Sequence, residues 1–185
     1  MERVLRMLRT SLVLVKALHK KSISDVTTKF VLTSTGSYVK NITLNQHWYQ
    51  HTPESVIENE TMKIYWNFPI QVDRELEDKA NKPDIIKFNK TERHCTIVDV
   101  AIPGDHNIEQ KQQKKIDKYK DLKLEISRMW NCSSIVVPVV IGALGSVPKK
   151  FHDHFDKLDI GKSITSLQKS ALLGTASILR KVLSC

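Results

Sequence analysis

Cysteine is scarce in this chain: Cys95, Cys132 and Cys185 are the whole complement. The count is odd, the spacings are wide, and no Cys-x-x-Cys pair occurs. A disulfide framework and a cysteine-rich zinc site therefore find no support, and the thiols read as reduced, core-type residues. Long hydrophobic runs are also missing. The stretch "SLVLVKAL" near the N-terminus is broken by Lys16, too short to cross a bilayer, and lacks a small-residue cleavage site. No stable membrane association is expected. There is no internal repeat and no low-complexity tract. Acid is in deficit, with 20 Asp and Glu against 29 Lys and Arg, a net charge of +9. That excess points to an anionic partner, nucleic acid first and a membrane surface second. Asn41, Asn59, Asn89 and Asn131 match the glycosylation pattern, which carries no weight without a secretory signal.

What is present is enough for a core: hydrophobic residues are 41% and charged residues 26% of the chain, which argues against wholesale disorder. Residues 1–20 read as a basic amphipathic helix, with Val4, Leu5, Leu8, Leu12 and Val15 at helical spacing. Residues 21–46 are Ser/Thr-rich and read as a linker. The segment 1–46 is thus set apart from a denser domain, 47–185. In that domain "MKIYWNFPIQV" (62–72) predicts a strand and "DRELEDKA" (73–80) a short helical turn. Two strands around the polar turn "NKTERH" predict a hairpin. Residues 107–130 predict a helix, with Ile108, Ile116, Tyr119, Leu122, Ile126 and Met129 as its apolar stripe. Residues 133–148 predict a buried strand apolar on both faces, ending at Gly142 and Gly145. Helices are expected at 148–158 and 163–183. The order strand, hairpin, helix, strand, helix, with flanking helices, predicts an α/β fold with a mixed sheet.

The hairpin raises a chemical question. Asp84 precedes Ile85 and Ile86, and Asp99 lies between Val98 and Val100. A symmetric register about the turn pairs residues whose numbers sum to 183. Asp84 then faces Asp99, Ile86 faces Ile97 and Phe88 faces Cys95, all on one surface. Opposed like charges in a sheet destabilise it. A divalent cation such as Mg²⁺ compensates well, because it takes hard oxygen ligands. The alternatives are that Asp84 ends the strand in solvent, or that each acid pairs with a lysine. A site that handles phosphates also needs a cation for transition-state charge. Lys115, four residues before Tyr119 on the buried stripe, is the first candidate, and Lys118 the second. Lys115 could equally snorkel to the edge.

"KPDII" followed by "VDVA" resembles the PD-(D/E)-x-K, restriction-endonuclease-like nuclease superfamily. Over residues 47–185, "WYQHTPESVIENE", "IYWNFPIQVDRELE", "KPDIIKFNKTERHCTIVDVAIPGD", "KKIDKYKDL", "VVPVVIGALG" and "LQKSALLGTASILRKVL" together resemble the C-terminal endonuclease-like segment of non-long-terminal-repeat retrotransposon polyproteins. The resemblance implies a restriction-endonuclease-like mixed sheet and Asp84 and Asp99 as metal-binding acids. Mg²⁺ or Mn²⁺ would be the cofactor and DNA the partner, with a nuclear location inferred from that substrate alone. It implies Lys115, or failing that Lys118, as the catalytic lysine, since the motif position two after Asp99 is Ala101. Glu77, or Asp73, would complete the metal site, and Lys111, Lys114, Lys149 and Lys150 would grip the nucleic-acid backbone. The expected reaction is hydrolysis of phosphodiester bonds; the alternative is a catalytically inactive, nucleic-acid-binding remnant of the same fold. The upstream Cys/His stretch typical of such polyproteins has no counterpart in residues 1–46, which hold His19 and no cysteine.

Overall fold

The computed structural model describes residues 54–73, 80–149, 151–156, 158 and 164–183. The expected segment 1–46, residues 74–79 of the expected helical turn, and Lys150 lie outside the described residues. Strands β1 (Val56–Glu58), β2 (Met62–Trp66), β3 (Ile85–Asn89), β4 (His94–Ala101) and β5 (Ser133–Val140) form one sheet in that spatial order. The first four strands run antiparallel and β4 pairs with β5 in parallel. Helices α1 (Ile108–Lys118) and α2 (Lys120–Met129) carry the chain from β4 to β5, as a parallel connection requires. Helices α3 (Phe151–Asp156) and α4 (Ile164–Leu183) follow.

The sheet divides two cores. Ile86, Cys95 and Ile97 point to one face, where Tyr119, Leu122 and Ile126 from the α1–α2 segment meet them. Ile64, Ile85, Val98, Val100, Val137 and Val139 point to the other, against Phe151, Leu158, Leu167 and Ala171. Period-two alternation on β3 and β4 thus feeds both layers. All eight residues of β4 except His94 are buried, because it is flanked by strands on both edges and by apolar layers on both faces.

Several elements differ from expectation. The strand expected over 62–72 stops at Trp66: Asn67 adopts a positive φ of 49° and Pro69 has no amide to offer a ladder. β1 was not foreseen, since three residues give no readable alternation. The helix expected over 107–130 is two helices: Tyr119, at φ −101° and ψ 12°, interrupts the helical backbone. β5 stops at Val140, two residues before the first of the glycines, Gly142 and Gly145, at which its end was expected. Pro138 sits within it, which is tolerated because β5 is an edge strand. Beyond β5 the chain folds back in a clasp. Ile141 N–H donates to the Ala101 carbonyl (3.0 Å), Ala143 N–H to Pro103 (2.9 Å) and Leu144 N–H to the Asp105 carboxylate (3.0 Å). The Ser146 hydroxyl also donates to Asp105. This ties together the C-terminal ends of β4 and β5. Cys95 and Cys132 are free thiols, buried and half-buried respectively.

Candidate active site

The hairpin β3–β4 has the register predicted from its symmetry. Ile85 faces Val98, Ile86 faces Ile97 and Phe88 faces Cys95. Asp84 lies one residue before β3, in a bend, so its place opposite Asp99 continues that ladder rather than belonging to it. Its carbonyl receives the Asn67 N–H (2.7 Å), and its Oδ2 receives the Val100 N–H (2.7 Å). Asp84 is therefore held from both neighbouring strands. Its Oδ1 has no hydrogen-bond donor among the described residues.

Asp99 is 3% exposed. Three groups make that burial tolerable. The Tyr119 hydroxyl donates to Oδ1 at 2.6 Å, the Lys115 ammonium contacts Oδ2, and the Lys118 ammonium donates to the Tyr119 oxygen at 3.0 Å. Lys118 also lies 4.6 Å from the Tyr119 ring centroid. The interruption at Tyr119 is thus where the α1–α2 segment delivers a side chain to the carboxylate. Lys115 is one turn earlier, and its side chain is 18% exposed. The acids are compensated by protein groups, which is one of the alternatives open from sequence: Asp99 pairs with a lysine.

Asp84 remains strained. Burial, then the negative charge of Asp99, push its carboxyl up to about 6, against the opposing pull of the Val100 N–H, Lys115 and Lys118. Burial and the neighbouring Asp99 charge likewise push the Tyr119 phenol well up, so it stays a donor. A carboxyl poised near neutrality beside a second carboxylate and an ammonium is the kind of group that concentrates at functional sites.

The other expected residues divide clearly. Lys118 is exposed apart from its contact with Tyr119; Lys111, Lys114 and Lys149 are exposed. Glu77 and Lys150 lie outside the described residues, and Asp73 is exposed. No group of three or more His, Cys, Asp and Glu occurs among the described residues. Asp84 and Asp99 are hard oxygen donors of the kind a divalent ion takes; Val100, Tyr119 and Lys115 already contact three of their four carboxylate oxygens. Sequence reading missed the Val100 N–H to Asp84, which only the strand geometry reveals, and the Asp105 clasp. The one signal for the clasp is the Pro103-Gly104 pair before the aspartate. No helix among the described residues is long and apolar enough to cross a membrane. No protein-family model matches the chain, and no curated protein matches it significantly.

Proposed function

We propose that residues 47–185 act as a metal-dependent DNA endonuclease-like domain of retrotransposon origin, on a restriction-endonuclease-like sheet. One observation carries the reading: Asp84 and Asp99 lie at the same end of the β3–β4 hairpin, near enough that the Asp99 charge raises the Asp84 carboxyl, with Lys115 and Tyr119 contacting the second acid. Asp84 Oδ1 and Asp99 would hold Mg²⁺ or Mn²⁺, with Glu77 a further candidate ligand. When bound, the ion would supply Lewis acidity and lower the pKa of coordinated water. Tyr119 fixes the orientation of Asp99 through its 2.6 Å hydrogen bond. Lys115 would lend its ammonium to the charge developing on the phosphoryl oxygens, with Lys118 as the reserve cation. Lys111, Lys114 and Lys149, exposed on the same basic chain, would hold phosphates without reading sequence. Such a protein would work where DNA is, in the nucleus.

The catalytically inactive, nucleic-acid-binding remnant is the second reading, and the Lys115–Asp99 contact favours it. That pair neutralises Asp99 without an ion. The discriminating experiment incubates supercoiled plasmid with the protein and Mg²⁺ or Mn²⁺. Nicking or linearisation that falls at least about 100-fold in Asp84→Ala, with DNA binding retained, supports the nuclease. Salt-sensitive binding with no metal-dependent cleavage supports the remnant. Cleavage unaltered in Asp84→Ala sinks the proposed site.

A further inference from the structure

Helices α1 and α2 lie over β4 and β5. On the same face, above β2 and β3, the surface is filled by a row of aromatic rings. Phe68 lies 5.7 Å from Tyr65, Tyr65 stacks on Trp130 at 5.5 Å with 22° between planes, and Trp130 meets Phe88 at 5.4 Å. Tyr65, Trp130 and Phe88 are half-buried and pack on the Ile86–Ile97 core. Phe68 is 38% exposed.

The position of Phe68 is fixed by the backbone. Asn67 N–H bonds the Asp84 carbonyl at 2.7 Å, and Ile70 N–H bonds the Asn81 carbonyl at 2.8 Å. The strap 67–70 is thereby pinned along the segment that leads into Asp84, with Phe68 between the two bonds. The positive φ of Asn67 turns the chain there, and the Tyr65 ring supports Phe68 from one side. Cations flank the row. Lys63 sits 5.3 Å from the Tyr65 centroid, and the Arg93 guanidinium donates to the carbonyls of Trp130 and Asn131. Glu58 takes part of the Lys63 charge through a 3.0 Å ion pair.

An exposed ring backed by half-buried rings, next to cations, makes a surface on which unpaired bases stack irrespective of sequence. We infer that the row Phe68–Tyr65–Trp130–Phe88 binds an unpaired nucleotide segment, with Phe68 stacking the base nearest the Asp84–Asp99 carboxylates. The inference rests on the nucleic-acid reading above and narrows it: the preferred substrate carries single-stranded or frayed nucleotides beside the site. Ring stacking does not sense the 2′-hydroxyl, so DNA and RNA segments share this chemistry.

The test is fluorescence anisotropy of labelled oligothymidine, oligouridine and a blunt duplex with the full chain in EDTA, so that cleavage plays no part. Phe68→Ala should weaken binding of at least one single-stranded probe by roughly fivefold or more, and duplex binding by no more than about twofold. Phe68→Trp should restore single-strand binding; Phe68→Leu, apolar without a π-face, should not. Phe68 dependence on both oligomers is the outcome of stacking alone; dependence on one of them assigns the sugar to contacts beside the ring. No binding of either oligomer, Phe68→Ala indistinguishable from wild type, full rescue by Phe68→Leu, or equal losses on single strand and duplex would each overturn the inference. Failure of the nuclease reading is separable. Phe68-dependent binding without plasmid cleavage removes the enzyme and keeps the stacking surface. Metal-dependent cleavage with Phe68 irrelevant does the reverse.

Discussion

Asp84 is the residue on which folding and chemistry pull in opposite directions. Burial and then the Asp99 charge push its carboxyl up to about 6 in the folded protein, from near 4 in an unfolded chain. Below about pH 4 both states hold the proton and the group contributes nothing. Between those values the folded state binds a proton the unfolded chain does not, so stability declines as pH rises through this window. Above about 6 the penalty is constant, on the order of 3 kcal/mol. Asp84→Asn keeps an oxygen to accept the Val100 N–H and removes the charge. The variant should be more stable than wild type near neutral pH by about 1–2 kcal/mol, and close to it near pH 4. Urea denaturation across that range checks this; an Asp84→Asn protein no more stable at neutral pH would mean that the carboxylate is not strained. The expected gain in stability, alongside loss of any cleavage, is the usual mark of a residue kept for chemistry.

The elements show how far a sequence can be read and where it stops. The hairpin was legible because "NKTERH" is a lone polar break between two branched apolar runs, and a symmetric turn leaves one register. That register set Asp84 against Asp99. The α1–α2 stripe was legible too, and with it the inward aim of Lys115. The interruption at Tyr119 was not, because no Gly or Pro marks it; tertiary contact of the phenol with Asp99 and the Lys82 carbonyl accompanies it. The end of β5 was equally hidden. Val139, Val140 and Ile141 read as continuous strand, yet past Val140 the chain turns into the clasp around Asp105. Gly142 shows why that turn is tight. A Cβ there would fall on Asp105 Oδ1 and within 2.6 Å of Ser146 Oγ. Asp105 is already committed to Leu144 N–H and Ser146, and these bonds, with Ser146 first, hold its carboxyl below the usual range. Gly142→Ala should cost about 1–3 kcal/mol by forcing those groups apart. It should also raise amide exchange of Leu144. Unchanged stability and exchange would show that the clasp yields freely.

At the scale of the molecule, one mixed sheet separates two apolar layers, and the acids sit where the α1–α2 layer approaches the strand ends. The aromatic row completes that layer over β2 and β3. Charge is distributed to match: Lys111 and Lys114 of α1 are exposed and Lys118 reaches back only as far as the Tyr119 hydroxyl, while Lys115 contacts the buried acid itself. That single inward lysine has a consequence for the history of each molecule. With a tethered ammonium already seated on Asp99, the chain can reach its final shape in the absence of any mineral ion and wait in that state. Chelator should leave the melting temperature within about 1 °C of its untreated value, whereas a domain built around a structural ion would collapse. A large drop in EDTA would reverse the assignment and make an ion part of the scaffold rather than a visitor admitted when Lys115 lets go.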